Sequence, residues 1–104
     1  MTVAVRTTSE ADGHILAASA WWRTNRPSAP ELFDHELAGA FRLLASAPDI
    51  GRRYRYGRIP GLRRLILPRT RYHVYYVHDA EGAAAVVLAV WSAVRGRAPA
   101  LKPA

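Results

Sequence analysis

The chain has 104 residues, of which half are hydrophobic and 22% are charged, with a formal net charge of +7 at pH 7 and no cysteine. This length and composition predict one folded domain, and they exclude disulfides, cysteine metal sites and extensive disorder. We expect neither a signal peptide nor a membrane span, because the longest apolar run, residues 83–91, is about half as long as a span requires. The absence of cysteine and of these segments predicts a cytoplasmic protein, and the four scattered histidines do not have the spacing of a zinc site, so no metal or other cofactor is expected.

The positive charge belongs to one half of the chain. Residues 1–49 carry four basic and six acidic side chains, a net charge of −2, whereas residues 50–104 carry eleven basic and two acidic ones, a net charge of +9. All but one of the basic residues are arginine, whose planar guanidinium can hold phosphate or carboxylate with two hydrogen bonds. The C-terminal half is therefore predicted to meet a polyanion or an acidic protein. Codon preference would explain the arginine bias equally well.

A short strand and a helix are predicted first. Residues 2–6 alternate in polarity, and Ser9 with Asp12 resembles a capping box that begins a helix. An apolar stripe with helical spacing follows, formed by Ile15, Ala18 and Trp22. The helix should end near Asn25, ahead of a proline.

A second helix is predicted immediately afterwards. Ser28 and Glu31 form another capping box around Pro30, and the helix should run to about Ala47. Its apolar stripe consists of Phe33, Leu37, Ala40, Phe41 and Leu44. Because the connection is short, the two helices should form an antiparallel hairpin.

The hydrophobic period changes from that of a helix to that of a strand after Gly51. Strands are predicted at residues 53–56, 62–67, 71–78 and 83–91, the last of them buried on both faces, and residues 98–104 form an irregular tail. The result is an α+β fold of order β-α-α-β-β-β, with an additional short strand as an option. An N-terminal strand and a helical hairpin would pack on one face of a small antiparallel sheet.

Three segments, in this order, resemble the RelE/ParE family of bacterial toxins from type II toxin-antitoxin systems. They are WWRTNRPSAPELFDHELAGAFRLLASAPDIG, GLRRLILPRTRYHVYYVHD and VVLAVWSAVRGRAP. The resemblance covers residues 18–101 and implies a single toxin domain over residues 1–104. It also implies growth inhibition, neutralisation by a cognate antitoxin, and a hetero-oligomeric complex of the two.

The family contains two mechanisms. RelE-like members are metal-independent endoribonucleases that cut messenger RNA on the ribosome, whereas ParE-like members bind DNA gyrase and are not enzymes. In the segment TRYHVYY, His73 stands where the family usually has arginine, so a ribonuclease here would use His73 with Arg71 as catalytic residues. The typical C-terminal tyrosine has no match, because none follows Tyr76, and Lys102 is the only lysine. The resemblance therefore favours the ParE-like branch.

Eight arginines are the candidates for binding the target or the antitoxin, and each could instead be a solvated surface charge. They are Arg53, Arg55, Arg63, Arg64, Arg69, Arg71, Arg95 and Arg97. Tyr54 and Tyr56 could stack on bases or be half-buried packing, and Trp21 could anchor a partner or pack over the helix edge.

The ending VWSAVRGR departs from the more usual V-W-H-A-R-R-G-R at Ser92 and Val94. Together with His73, which could be a strand histidine that only forms hydrogen bonds, these departures leave a third reading open. In that reading, the chain is an inactive toxin-like domain that binds antitoxin.

Overall fold

The computed structural model describes residues 2–104 of the chain. Its elements are β1 (Ala4–Thr7), α1 (Ser9–Asn25), α2 (Leu32–Ser46), β2 (Arg52–Arg53), β3 (Leu62–Leu67), β4 (Tyr72–Asp79) and β5 (Ala84–Ser92). The predicted order is confirmed, and β2 is the additional short strand. Among residues 2–104, no helix is long and apolar enough to cross a membrane.

The sheet is mixed rather than purely antiparallel. Its strand order is β1-β5-β4-β3-β2, and every neighbouring pair is antiparallel except β1 and β5, which run parallel. A parallel pair needs a long connection, and here the whole chain between the two strands supplies it. The sequence pattern identified β1 as a strand but contained no sign of its partner. The prediction that residues 83–91 form an inner strand is confirmed, since β5 lies between β1 and β4.

Helix α1 begins one residue earlier than the predicted capping box implies. The Thr8 hydroxyl, rather than that of Ser9, accepts a hydrogen bond from the Ala11 N–H at 3.1 Å. Thr8 takes this role because it continues the extended backbone of β1, with its own N–H donating to the Val87 carbonyl at 3.0 Å. Asp12 caps nothing, and its carboxylate accepts from the Thr7 hydroxyl at 2.5 Å.

Helix α2 has no side-chain cap, so the predicted box of Ser28 and Glu31 is wrong. Glu31 occupies the capping position, but its carboxylate faces Arg23 of α1 at 3.9 Å. Arg23 also pairs with Asp34 at 2.5 Å. The first turn of α2 is thus occupied by ion pairs to the end of α1, which join the two helices of the hairpin.

Both faces of the sheet carry buried apolar residues. The main core lies between the helices and one face, where the largest buried side chains include Phe33, Leu44, Val74, Tyr76 and Val87. On the second face, a smaller cluster consists of Leu62, Tyr75, Leu88 and Ala89. The 54–61 loop and Leu101 of the C-terminal tail pack against it, and Pro99 is fully buried. The tail is irregular in backbone and mostly exposed apart from these two residues, and just before it the Trp91 indole N–H donates to the Arg97 carbonyl at 3.0 Å.

Candidate binding groove

A groove of about 700 Å³ opens between α1 and the end of the sheet where β4 begins and β5 ends. One wall is the α1 face that carries His14, Trp21 and Trp22, and Arg26 follows the helix. The opposite wall consists of the turn between β3 and β4, the start of β4, and the end of β5 with the residues that follow it. Its residues are Arg69, Thr70, Arg71, Tyr72, Val90, Trp91, Ser92, Val94 and Arg95. The three tryptophans of the chain therefore lie around one groove.

Trp22 forms part of the floor. It is only 9% exposed and belongs to the main core, as its place in the apolar stripe predicted. Its buried indole N–H has no hydrogen-bond acceptor among residues 2–104; the Tyr72 hydroxyl is a neighbour, but the pair does not reach hydrogen-bond geometry. A buried donor of this kind is uncommon in folded proteins.

Two arginines of the groove lie over tryptophan rings. The Arg26 guanidinium is 5.0 Å from the ring centroid of Trp21, whose exposed fraction is 45%, and the Arg95 guanidinium is 4.3 Å from that of Trp91. Stacking on an indole holds the guanidinium by a cation–π interaction and leaves its N–H edge free for an anion.

The turn between β3 and β4 is fixed by Glu36 of α2. One carboxylate oxygen accepts from the Arg69 N–H at 2.7 Å, and the other accepts from the Thr70 N–H at 2.9 Å and the Thr70 hydroxyl at 2.6 Å. Arg71 follows with a φ of 64°, in the left-handed region that favours glycine. Its N–H donates to the Leu67 carbonyl at 2.8 Å. Glu36 thus holds the backbone that presents two arginines to the groove.

His14 of α1 accepts a hydrogen bond from the β5 backbone beyond the end of β1. The pairing of β1 ends at Val87, and beyond that point the His14 Nδ1 accepts from the Val90 N–H at 3.3 Å. The imidazole meets Trp91 edge-on, with ring centroids 5.2 Å apart. Burial lowers the pKa of His14, and the positive charge of Arg95 lowers it further, so the ring is held neutral.

His73 and Arg71, the two candidate catalytic residues, are not brought together. Arg71 lines the groove, whereas His73 lies on the second face, with its ring centroid 5.9 Å from that of Tyr75. Burial lowers the pKa of His73, and the charge of Arg64 lowers it further. No hydrogen bond or ion pair within the described part of the chain joins His73 to an acidic group.

The other candidate arginines are distributed over the molecule. Arg63 is only 19% exposed and donates to the carbonyls of Asp49 at 3.0 Å and Gly51 at 2.8 Å, so it supports the chain between α2 and β2. Arg64 stacks on Tyr54 at 4.3 Å on the second face. Exposed positions outside the groove are occupied by Arg53, Arg55 and Arg97.

The groove therefore collects three of the eight predicted arginines, Arg69, Arg71 and Arg95. It also includes Arg26, which sequence reasoning missed because it lies in the net-acidic half of the chain. The signal that could have found Arg26 is its place shortly after the tryptophan pair, within reach of Trp21 from the end of the same helix.

A small five-stranded sheet with a helical hairpin on one face, in which the hairpin follows the first strand of the chain, is the fold of the RelE/ParE-like toxins. The sequence agrees with the fold. Residues 5–96 match the family described as the ParE toxin of the type II toxin-antitoxin system parDE, and the chain belongs to that family. The predicted family resemblance is thereby confirmed.

Solved structures show the same architecture. A chain of the chromosomal ParDE system of P. aeruginosa is 16% identical, with a TM-score of 0.68 over 88% of this chain and 96% of that one. A chain of the RelBE2 toxin-antitoxin complex of Mycobacterium tuberculosis is 22% identical, with a TM-score of 0.65 over 88% and 99%. A mutant of the E. coli toxin RelE in the free state is 18% identical, with a TM-score of 0.58 over 90% and 86%. At these identities the likeness establishes the fold. Among curated proteins, none matches this sequence significantly.

Proposed function

We propose that this toxin inhibits growth by binding DNA gyrase in the cytoplasm, and that a cognate antitoxin neutralises it in a hetero-oligomeric complex. The observation that carries the proposal is the match of residues 5–96 to the ParE toxin family. Structures with the same fold come from the toxin-antitoxin systems ParDE and RelBE2, which supports an antitoxin partner here.

The distribution of reactive groups also favours binding over ribonuclease chemistry. Metal-independent RNA cleavage needs a base, an acid and cations gathered at one phosphate. His73 and Arg71 lie apart, and Lys102 is 75% exposed and 4.0 Å from Glu10. A neutral His73 beside Arg64 could still accept a proton from a 2′-hydroxyl, so a RelE-like ribonuclease is the second candidate.

One experiment separates the two mechanisms. The toxin is induced alone in a bacterial host, and the rates of DNA synthesis and of protein synthesis are followed over the first minutes by uptake of labelled precursors. Gyrase binding predicts that DNA synthesis falls first and that the purified protein inhibits supercoiling without cutting RNA. An early fall in protein synthesis that disappears in the double variant His73→Ala, Arg71→Ala would establish the ribonuclease instead.

The same induction tests whether the chain is active at all. Unchanged growth at full expression would support the inactive toxin-like domain and contradict the proposal. Co-expression with the protein encoded by a neighbouring short reading frame should restore growth if that protein is the antitoxin.

A further inference from the structure

We infer that the groove is a docking site for an acidic peptide segment of a partner protein. Carboxylates of the segment would meet the guanidinium groups of Arg26, Arg71 and Arg95, and an apolar side chain between them would lie on the floor. The inference rests on the proposed function in one respect, namely that the toxin acts through protein partners.

The charge of the groove is not compensated within the protein. Its lining contains four arginines and no acidic residue. Arg23 and Arg63, by contrast, lie beside carboxylates, those of Asp34 at 2.5 Å and Asp49 at 3.7 Å. The four groove guanidiniums form no ion pair within residues 2–104, and the nearby carboxylate of Glu36 is occupied by the backbone and hydroxyl of the turn. Clustered cations that the fold leaves unpaired favour an external anion.

The floor requires an apolar contact as well as charge. Between the arginines lie Ala17, Ala18 and Val90, together with the rings of Trp22 and Tyr72. Ala18, Val90 and Trp22 are already buried, so the apolar area that a leucine-like or aromatic side chain would remove from water belongs to Ala17 and Tyr72.

A peptide fits these features better than a nucleic acid does. Non-specific binding of single strands relies on free aromatic faces on which bases stack. Here Arg26 lies over one face of Trp21 and Arg95 over one face of Trp91, so these faces are not free for bases. A phosphate backbone also has no apolar group for the floor, whereas a peptide with carboxylates on either side of an apolar residue supplies both.

The protein contains its own reporter for this test. Because all three tryptophans line the groove, a ligand that enters it should change the intrinsic tryptophan fluorescence. The probe is a short synthetic peptide in which two glutamates flank a leucine. The controls are the same peptide with glutamine for glutamate and a single-stranded oligothymidylate, all titrated into the full chain at constant ionic strength.

Saturable binding of the acidic peptide is expected, with no binding of the glutamine peptide. Arg71→Gln or Arg95→Gln should each weaken the affinity about tenfold, as expected when one charged hydrogen-bonding partner is lost. Arg58→Gln removes the same charge from an exposed position outside the groove and should leave the affinity within about twofold. Circular dichroism confirms that each variant is folded.

Three results would overturn the inference. They are the absence of saturable peptide binding, equal losses in Arg58→Gln and Arg71→Gln, and tighter binding of the oligonucleotide than of the peptide. None of them depends on the target of the toxin. If supercoiling is inhibited while the peptide fails to bind, the docking site is wrong and the proposed function stands; if the peptide binds while supercoiling is unaffected, the reverse holds.

Discussion

Replacing Glu36 by alanine removes the acceptor of three hydrogen bonds in the turn between β3 and β4. Thr70 is 6% exposed, so its N–H and its hydroxyl would both lose a partner in a place that water reaches poorly. A buried donor left without an acceptor costs about 1–3 kcal/mol, whereas the exposed Arg69 N–H can turn to water at little cost. We therefore expect the free energy of unfolding to fall by about 3 kcal/mol.

Two further variants make this estimate specific. Glu36→Gln retains an oxygen that can accept from Thr70, and it replaces the oxygen facing the Arg69 N–H with an amide group that cannot accept. Its cost should be about 1 kcal/mol. Glu31→Ala, at the start of the same helix, removes a carboxylate that is 60% exposed and 3.9 Å from Arg23, so it should change the stability by at most about 0.5 kcal/mol.

The assay is urea unfolding followed by far-ultraviolet circular dichroism, with linear extrapolation to water. The reasoning fails if Glu36→Ala is as stable as Glu31→Ala, or if the glutamine and alanine variants lose the same stability. Because Glu36 holds the backbone of Arg69 and Thr70, immediately before Arg71, the alanine variant should also bind the acidic peptide more weakly when it is still folded.

Three more changes test other contacts. Tyr76→Phe removes the buried acceptor of the Gly51 N–H at 2.9 Å and should cost about 1–3 kcal/mol in urea unfolding; an unchanged midpoint would contradict that bond. His14 has a pKa below its ordinary value, so the native state binds fewer protons than the unfolded one, and stability present above about pH 6.5 should decline as the pH falls. His14→Asn, with a neutral acceptor for the Val90 N–H, should make the urea midpoint less sensitive to acid; an equal sensitivity would refute this. Arg71→Gly relieves a left-handed backbone and should leave stability equal or higher by up to about 1 kcal/mol while weakening peptide binding; a loss of stability would show that the side chain supports the fold.

Local patterns predicted most of the elements, because their causes lie within a few residues. The stripe of Phe33, Leu37 and Leu44 is buried on α2, and the unbroken apolar run of β5 lies inside the sheet. Caps were less predictable, since Thr8 and Ser9 offer the same hydroxyl and the path of the preceding strand decides between them. The parallel partner of β1 could not be predicted, because no local feature specifies which distant strand it joins.

In the candidate site, too, features with a local cause could be predicted from the sequence, and features that depend on tertiary contacts could not. A charge count identified the arginine-rich half, but it could not separate Arg63, which holds backbone carbonyls, from Arg71, which faces the groove. Nor could it indicate that Trp21 and Trp91, far apart in sequence, would lie around one groove with arginines stacked on both. Such relations arise from tertiary packing, and the composition of a segment does not specify which distant residues will lie beside it.

The pairing of β1 with β5 has a consequence for how the molecule folds. Ala4 lies opposite Ala84, so this pair forms only after most of the chain has closed into a loop, whereas β3, β4 and β5 follow one another and pair locally. We expect the three-stranded meander of β3, β4 and β5 to form early, and β1 with the helix α1 that follows it to dock last. Since α1 is one wall of the groove, and the turn between β3 and β4 with the adjoining ends of β4 and β5 is the other, the groove is incomplete until α1 has docked on the meander. The toxin would then acquire the complete groove only in a late step of folding.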